Sequence, residues 1–109
     1  MPSTYKILGQ IATTANTLSN VYSVPSATEA VVNSIVVTNT GASNASFSLL
    51  VRPDTDSDGD KNYIIRGVIV PGNETMTLNL SLTLPAKAVI KANSSLSTLS
   101  VGAFGAEIV

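Results

Sequence analysis

Glu29-Ala-Val-Val-Asn-Ser-Ile-Val-Val-Thr-Asn-Thr40 is the stretch on which the fold turns. Five of its twelve residues are Val or Ile, which are stiff at χ1 and pack well on a pleated surface. It holds no Gly or Pro, and Asn39-Thr40-Gly41 supplies turn chemistry at its end. This reads as a central β-strand. On strict alternation, Val31, Ile35 and Val37 share one face with Asn33 and Asn39, while Ala30, Val32 and Val36 share the other with Ser34 and Thr38. Both faces are then half apolar, as in a strand covered on both sides. One face serves a core. The other, through Val32 and Val36 or through Val31 and Ile35, is expected to lie under a neighbouring subunit or an arm of the chain.

Outward from that strand, the chain reads as short β segments separated by polar turns. Before it come Thr4 to Ile11 and Leu18 to Val24, the latter stopped by Pro25. After it, Ala45 to Arg52 alternates with Phe47, Leu49 and Val51 on one face, Leu50 being the exception. Asn62 to Arg66 follows an acidic loop, and Gly67 is expected to break or bend the chain before Val68 to Val70. Glu74 to Ser81 is the cleanest alternation, with Met76, Leu78 and Leu80 against Thr75, Thr77 and Asn79. In Lys87 to Ala92, Ala88, Ile90 and Ala92 face inward. The last segment, Leu96 to Ile108, carries Gly102 and Gly105, which predict a bulge or phase change: Leu99 and Val101 inward first, Phe104 and Ile108 beyond. About eight strands at spacings near ten residues, with no amphipathic helix, predict an all-β chain: one antiparallel β-sandwich or jelly roll over residues 1–109.

Composition narrows the function. The 109 residues suit a single domain, and charged residues make up only 12%, about half the usual share. In their place stand 14 Ser, 12 Thr and 9 Asn. A polar surface with so little charge is poorly defended against self-association, which predicts a subunit whose flanks neighbours cover. The six Lys and Arg are scattered and the net charge is −1, so nucleic acid is not expected as a partner. Without cysteine there is no disulfide framework or thiolate metal site. Met1-Pro-Ser-Thr-Tyr-Lys6 shows no secretion leader and no apolar run reaches a membrane span, so assembly inside a cell is expected, with no membrane partner. The four Asn-x-Ser/Thr sequences, at Asn44, Asn73, Asn79 and Asn93, are therefore assigned no glycans.

Histidine and cysteine are both absent, which removes the nucleophile triads, His metal sites and the commonest general base. Glu29, Glu74 and Glu107 leave a paired-carboxylate hydrolase formally open, but each sits at a strand end, and no enzyme is expected. The one sharp motif is Asp54-Thr-Asp56-Ser-Asp58-Gly59-Asp60, which matches the first half of a calcium loop. Its twelfth position is Ile65 where a bidentate Glu belongs, so it is no EF-hand. Asp54, Asp56, Asp58 and Asp60 remain candidate ligands for a weaker calcium site, against a solvated hairpin tip. Calcium is the one cofactor considered.

Thr4-Tyr-Lys-Ile-Leu-Gly-Gln10, Leu18-x-x-Val-Tyr-Ser-Val-Pro25 and Ala30-Val-Val-x-Ser-Ile-Val-Val-x-Asn39 together resemble a family of small virion structural proteins of tailed bacteriophages, of the cyanophage and marine-phage type. Val51-Arg-Pro53, the Leu78-x-Leu-x-Leu-x-Leu84 run and Phe104-Gly-x-Glu-Ile108 fit the same pattern, in the same order over nearly the whole chain. The resemblance implies a non-enzymatic β-sandwich, assembled in the host cytoplasm and resident in the virion. The first role it implies is capsid decoration, as a cement protein on the major capsid protein and as a homo-oligomer, a trimer. The alternative is a tail, baseplate or fibre-attachment subunit. A carbohydrate-binding surface module is a third reading, resting on Tyr22 and Tyr63.

Overall fold

The computed structural model describes residues 3–109; Met1 and Pro2, the start of the stretch read for a leader, lie outside them. Among the described residues there are eight strands: β1 Ser3–Ala12, β2 Ser19–Ser23, β3 Glu29–Asn39, β4 Ala45–Arg52, β5 Tyr63–Val70, β6 Thr75–Leu84, β7 Val89–Ser94 and β8 Leu99–Ile108. The only helical element described is a 3-10 turn at Asp60–Asn62. No described helix is long and apolar enough to cross a membrane.

The strands form two antiparallel four-stranded sheets, β1-β8-β3-β6 and β2-β7-β4-β5. Within them β1 pairs with β8, β2 with β7, β3 with β6 and β4 with β5, so the chain is one long hairpin closed at β4–β5. Its two arms roll together, and the β3–β8 and β4–β7 ladders complete the sheets. This is the jelly-roll order, the double-sheet arrangement that limits exposed strand edges. The predicted all-β sandwich and its strand positions are observed.

Alternation places the core between the sheets. Phe47 and Leu49 from β4, Ala88 just before β7, Ile90 and Ala92 within it, and Leu99 and Val101 from β8 are all buried there, as their sequence period requires. Gly9 on the inner face of β1 lies so close to the Val21 carbonyl of β2 that a Cβ would stand 2.1 Å from its oxygen. The missing side chain therefore lets the two sheets close at that side.

Three expectations are sharpened or corrected. Of the break or bend expected at Gly67 the structure shows the bend: β5 runs on through it at φ 72°, and the chain bulges opposite Ser48, whose Oγ accepts the Gly67 N–H. β8 does not change phase, because Ala103 is fully buried after Leu99 and Val101, which leaves Phe104 on the outer face paired with Ile7 and Ser34. The extra residues sit in its neighbours instead, at Leu8 in β1 beside the Ala103–Phe104 step and at Asn33 in β3 beside the Phe104–Gly105 step.

The third correction concerns the faces of β3. The bulge at exposed Asn33 shifts the phase, so Ala30, Val32, Ile35 and Val37 all point into the core and are fully buried. Val31, Ser34, Val36 and Thr38 take the outer face. Neither predicted pair, Val32 with Val36 or Val31 with Ile35, shares a face. One bulge turns two mixed faces into one apolar face and one mixed face.

Candidate interaction surface

The outer face of the β1-β8-β3-β6 sheet follows from this register. Across it run the rows Tyr5–Ala106–Val31, Ile7–Phe104–Ser34, Gln10–Gly102–Val36 and Ala12–Ser100–Thr38. β6 extends them with Thr75, Thr77, Asn79 and Thr83. Among the described residues, Glu29 at the rim is the one charged side chain that the register places on this face. Tyr5 and Ile7 are exposed to 79% and 55%. Between the strands lies a groove of about 450 Å³ lined by Gln10, Val36, Thr38, Ser100, Gly102 and Phe104, among others. The Phe104 ring lies across Gly102, where a Cβ would come within 3.0 and 3.1 Å of two of its carbons. A face this neutral sheds its water without the large penalty of stripping charges.

Of the candidate interface residues, Val31 and Val36 stand on this face, half-buried, while Val32 and Ile35 belong to the core. Tyr5 and Phe104, which matter as much here, carried no such signal. Their side becomes known only from the pairing with β8 and the bulges around it.

The charges gather elsewhere. The acidic loop folds back on the outer face of the other sheet, where Asp58 accepts hydrogen bonds from Arg52 of β4 and from Lys91 of β7, the latter at 2.8 Å. It covers Leu50, which is fully buried although it points away from the main core, between Lys91 and Tyr63. That explains why Leu50 broke the alternation. Asp60 accepts from Arg66 at 3.0 Å, and Asp56 pairs with Lys61 at 3.4 Å and accepts from the Asn62 amide at 3.3 Å. The candidate calcium ligands Asp54, Asp56, Asp58 and Asp60 are thus not brought together. Three of them meet cations of the chain itself, and no group of three or more acidic residues that could hold a metal occurs among the described residues. The hydrogen bond from Lys91, then that from Arg52, holds the Asp58 carboxyl below the usual carboxylate range.

The three glutamates do not make a carboxylate pair either. Glu29 and Glu107 lie on opposite faces of one sheet, and Glu74 adjoins the far end of β3, where its carbonyl accepts the Asn39 N–H. Glu107 points inward, accepting from the Tyr22 hydroxyl and, at 3.0 Å, from Lys6. The Tyr22 hydrogen bond, followed by that of Lys6, lowers the Glu107 pKa. Burial, with the Glu107 hydrogen bond and charge adding to it, pushes the Tyr22 hydroxyl far above its ordinary value.

Stability should follow these directions. Glu107 and Asp58 bind protons less readily folded than unfolded, so their contribution is full above the ordinary carboxylate range and is lost as pH falls through their lowered values. Tyr22 works in the opposite sense, its contribution being full below about pH 10 and declining above that. Urea midpoints measured from pH 7 to pH 3 should fall for the wild type and fall less steeply for Glu107→Gln. Equal slopes would remove Glu107 from the account.

Comparison with known protein families, with curated proteins and with solved structures finds no match for this chain.

Proposed function

We propose that this chain is a non-enzymatic structural subunit of a tailed-phage particle, and that its role is to decorate and cement the capsid shell. The observation that carries the reading is the neutral outer face of the β1-β8-β3-β6 sheet, built on a jelly roll, an architecture that viral capsid domains use. Its resemblance in sequence to small virion proteins points the same way. On this reading the face covers contacts between shell proteins through many weak, uncharged contacts. Repetition over a lattice turns weak sites into firm attachment, because each further site binds at high effective concentration.

The sugar-binding reading fits less well. The Tyr22 hydroxyl is engaged by Glu107 inside the sandwich, and the Tyr63 ring lies under the Arg66 guanidinium, 4.7 Å from its centroid. Neither ring is free to form a platform in a shallow groove.

Quantitative mass spectrometry of purified particles of a phage encoding this chain tests the role. Copies on the scale of the major capsid protein are expected. A copy number on the scale of tail parts would replace decoration with the tail, baseplate or fibre-attachment reading, and absence from the particle would end both. A Tyr5→Lys, Ile7→Lys double variant should fold with an unchanged urea midpoint, since both side chains are exposed, and should fail to enter particles.

A further inference from the structure

Four strands end the two sheets, and three of them discourage a further neighbour. β1 bulges at Leu8 and carries Lys6, and its Gly9 packs against the Val21 carbonyl of β2. β2 is only five residues long and has a register shift. β5 has two register shifts, with Arg66 and left-handed Gly67 in the bulge. Short length, bulges and charges are the devices by which natural sheets protect their edges.

β6 has none of the compositional ones. Its ten residues, Thr75-Met-Thr-Leu-Asn-Leu-Ser-Leu-Thr-Leu84, include no charge, no Pro and no Gly. Its one irregularity lies opposite the Asn33 bulge. Beyond β6 the sheet ends, so one side of this strand offers N–H and C=O groups of the kind that pair with another strand. Along it Met76, Leu78, Leu80 and Leu82 pack against the core but stay only half-buried, because among the described residues no strand flanks them on the open side.

We propose that β6 pairs antiparallel with β6 of a second copy of this chain, joining two sheets into one of eight strands across a two-fold axis. The alternation favours this partner. With Asn79 opposite Asn79, Leu78 faces Leu80, Met76 faces Leu82 and Thr77 faces Ser81. The leucines of both copies then share the core side, and the hydroxyl and amide side chains share the outer side. A slip by one residue would put each Leu against a Thr, Ser or Asn on the wrong face, so the pattern selects its register. No charge meets a like charge, whereas a charged strand from another protein would set unpaired charge beside half-buried leucines. The same pairing merges two neutral outer faces into one. It is a two-fold contact, distinct from the trimer implied by the sequence resemblance, and it stands on the edge geometry and not on the particle role.

Sedimentation of the full chain over a concentration series reads the pairing directly. A species of twice the 11.2 kDa chain mass is expected. Asn79→Lys and Asn79→Asp, at an exposed position, should each sediment as monomers with unchanged circular dichroism, because like charges then oppose each other across the axis. An equimolar mixture of the two should restore the pair. In the wild type, amide exchange of β6 should slow with concentration while that of β5 does not. A wild type monomeric up to about 1 mM, the weak end of specific association, overturns the proposal. So does a pair that persists in both variants, a mixture that stays monomeric, or exchange that slows equally in β5 and β6.

Discussion

Ile35→Asp is expected to leave no cooperatively folded protein, while Val36→Asp, one residue further on, folds. Ile35 is fully buried in the core and meets Leu78 of β6 and Ala103 of β8 in the ladder, so no cation or water reaches a carboxylate there. A buried unpaired charge belongs to the most destabilising class of substitution, above about 4 kcal/mol, against a total stability of about 5–15 kcal/mol for such a domain. Val36 lines the outer groove beside Gln10 and Thr38, where a carboxylate keeps its water. Its replacement should cost about 1 kcal/mol, mainly in lost apolar contact. Urea unfolding followed by circular dichroism separates the two. An Ile35→Asp protein with a near wild-type midpoint would mean that the Asn33 bulge does not set the phase of β3.

Asn39→Ala should be the most damaging of the polar truncations. The Asn39 side chain is buried and uses its full hydrogen-bonding capacity. Its amide donates to the Ser43 and Val70 carbonyls at 2.8 and 3.0 Å, and its oxygen accepts from the Gly41 N–H at 3.0 Å and the Thr98 hydroxyl at 2.9 Å. One residue thus ties the end of β3 to the β3–β4 turn, the end of β5 and the β7–β8 turn. Removing it leaves several partners without a bond in a closed space, at about 1–3 kcal/mol for each buried group left unsatisfied. A loss of at least about 3 kcal/mol in urea unfolding is therefore expected. Asn39→Asp should also be poorly tolerated, since a carboxylate cannot donate to two carbonyls. If Asn39→Ala loses less than about 1 kcal/mol, solvent replaces these bonds and the junction is not closed.

Asn39 marks how far sequence reading reached. Asn39-Thr40-Gly41 was legible as a turn because Asn and Gly are turn formers whatever surrounds them. That the same Asn amide would bind Val70, thirty-one positions on, depends on where β5 ends in space. Leu50 teaches the same lesson, since its broken alternation records a loop laid over the outer face of the second sheet. The acidic loop resembled half of a metal site because the spacing of Asp along a chain is local. Its carboxylates instead answer Arg52, Lys91 and Arg66, brought there by the strand pairing. The candidate surface was half legible: Val31 and Val36 were named, but so were Val32 and Ile35, which the core takes.

An all-β chain of two packed sheets is legible in residue order alone, with strands where Val, Ile, Leu and Thr alternate and turns where Gly, Pro, Asn and Asp cluster. So is the small amount of charge available to guard the surface. Both follow from local propensity and composition, which need no partner strand. Which side of Glu29–Thr40 faces the core is set by strand pairing, because alternation keeps its phase only until a residue is inserted. The extra residue at Asn33 is recognisable only against β8. The same register gathers the neutral residues on one sheet and leaves β6 as an uncharged edge. A strand's period is a property of its own residues, but its phase and its neighbours belong to the pairing.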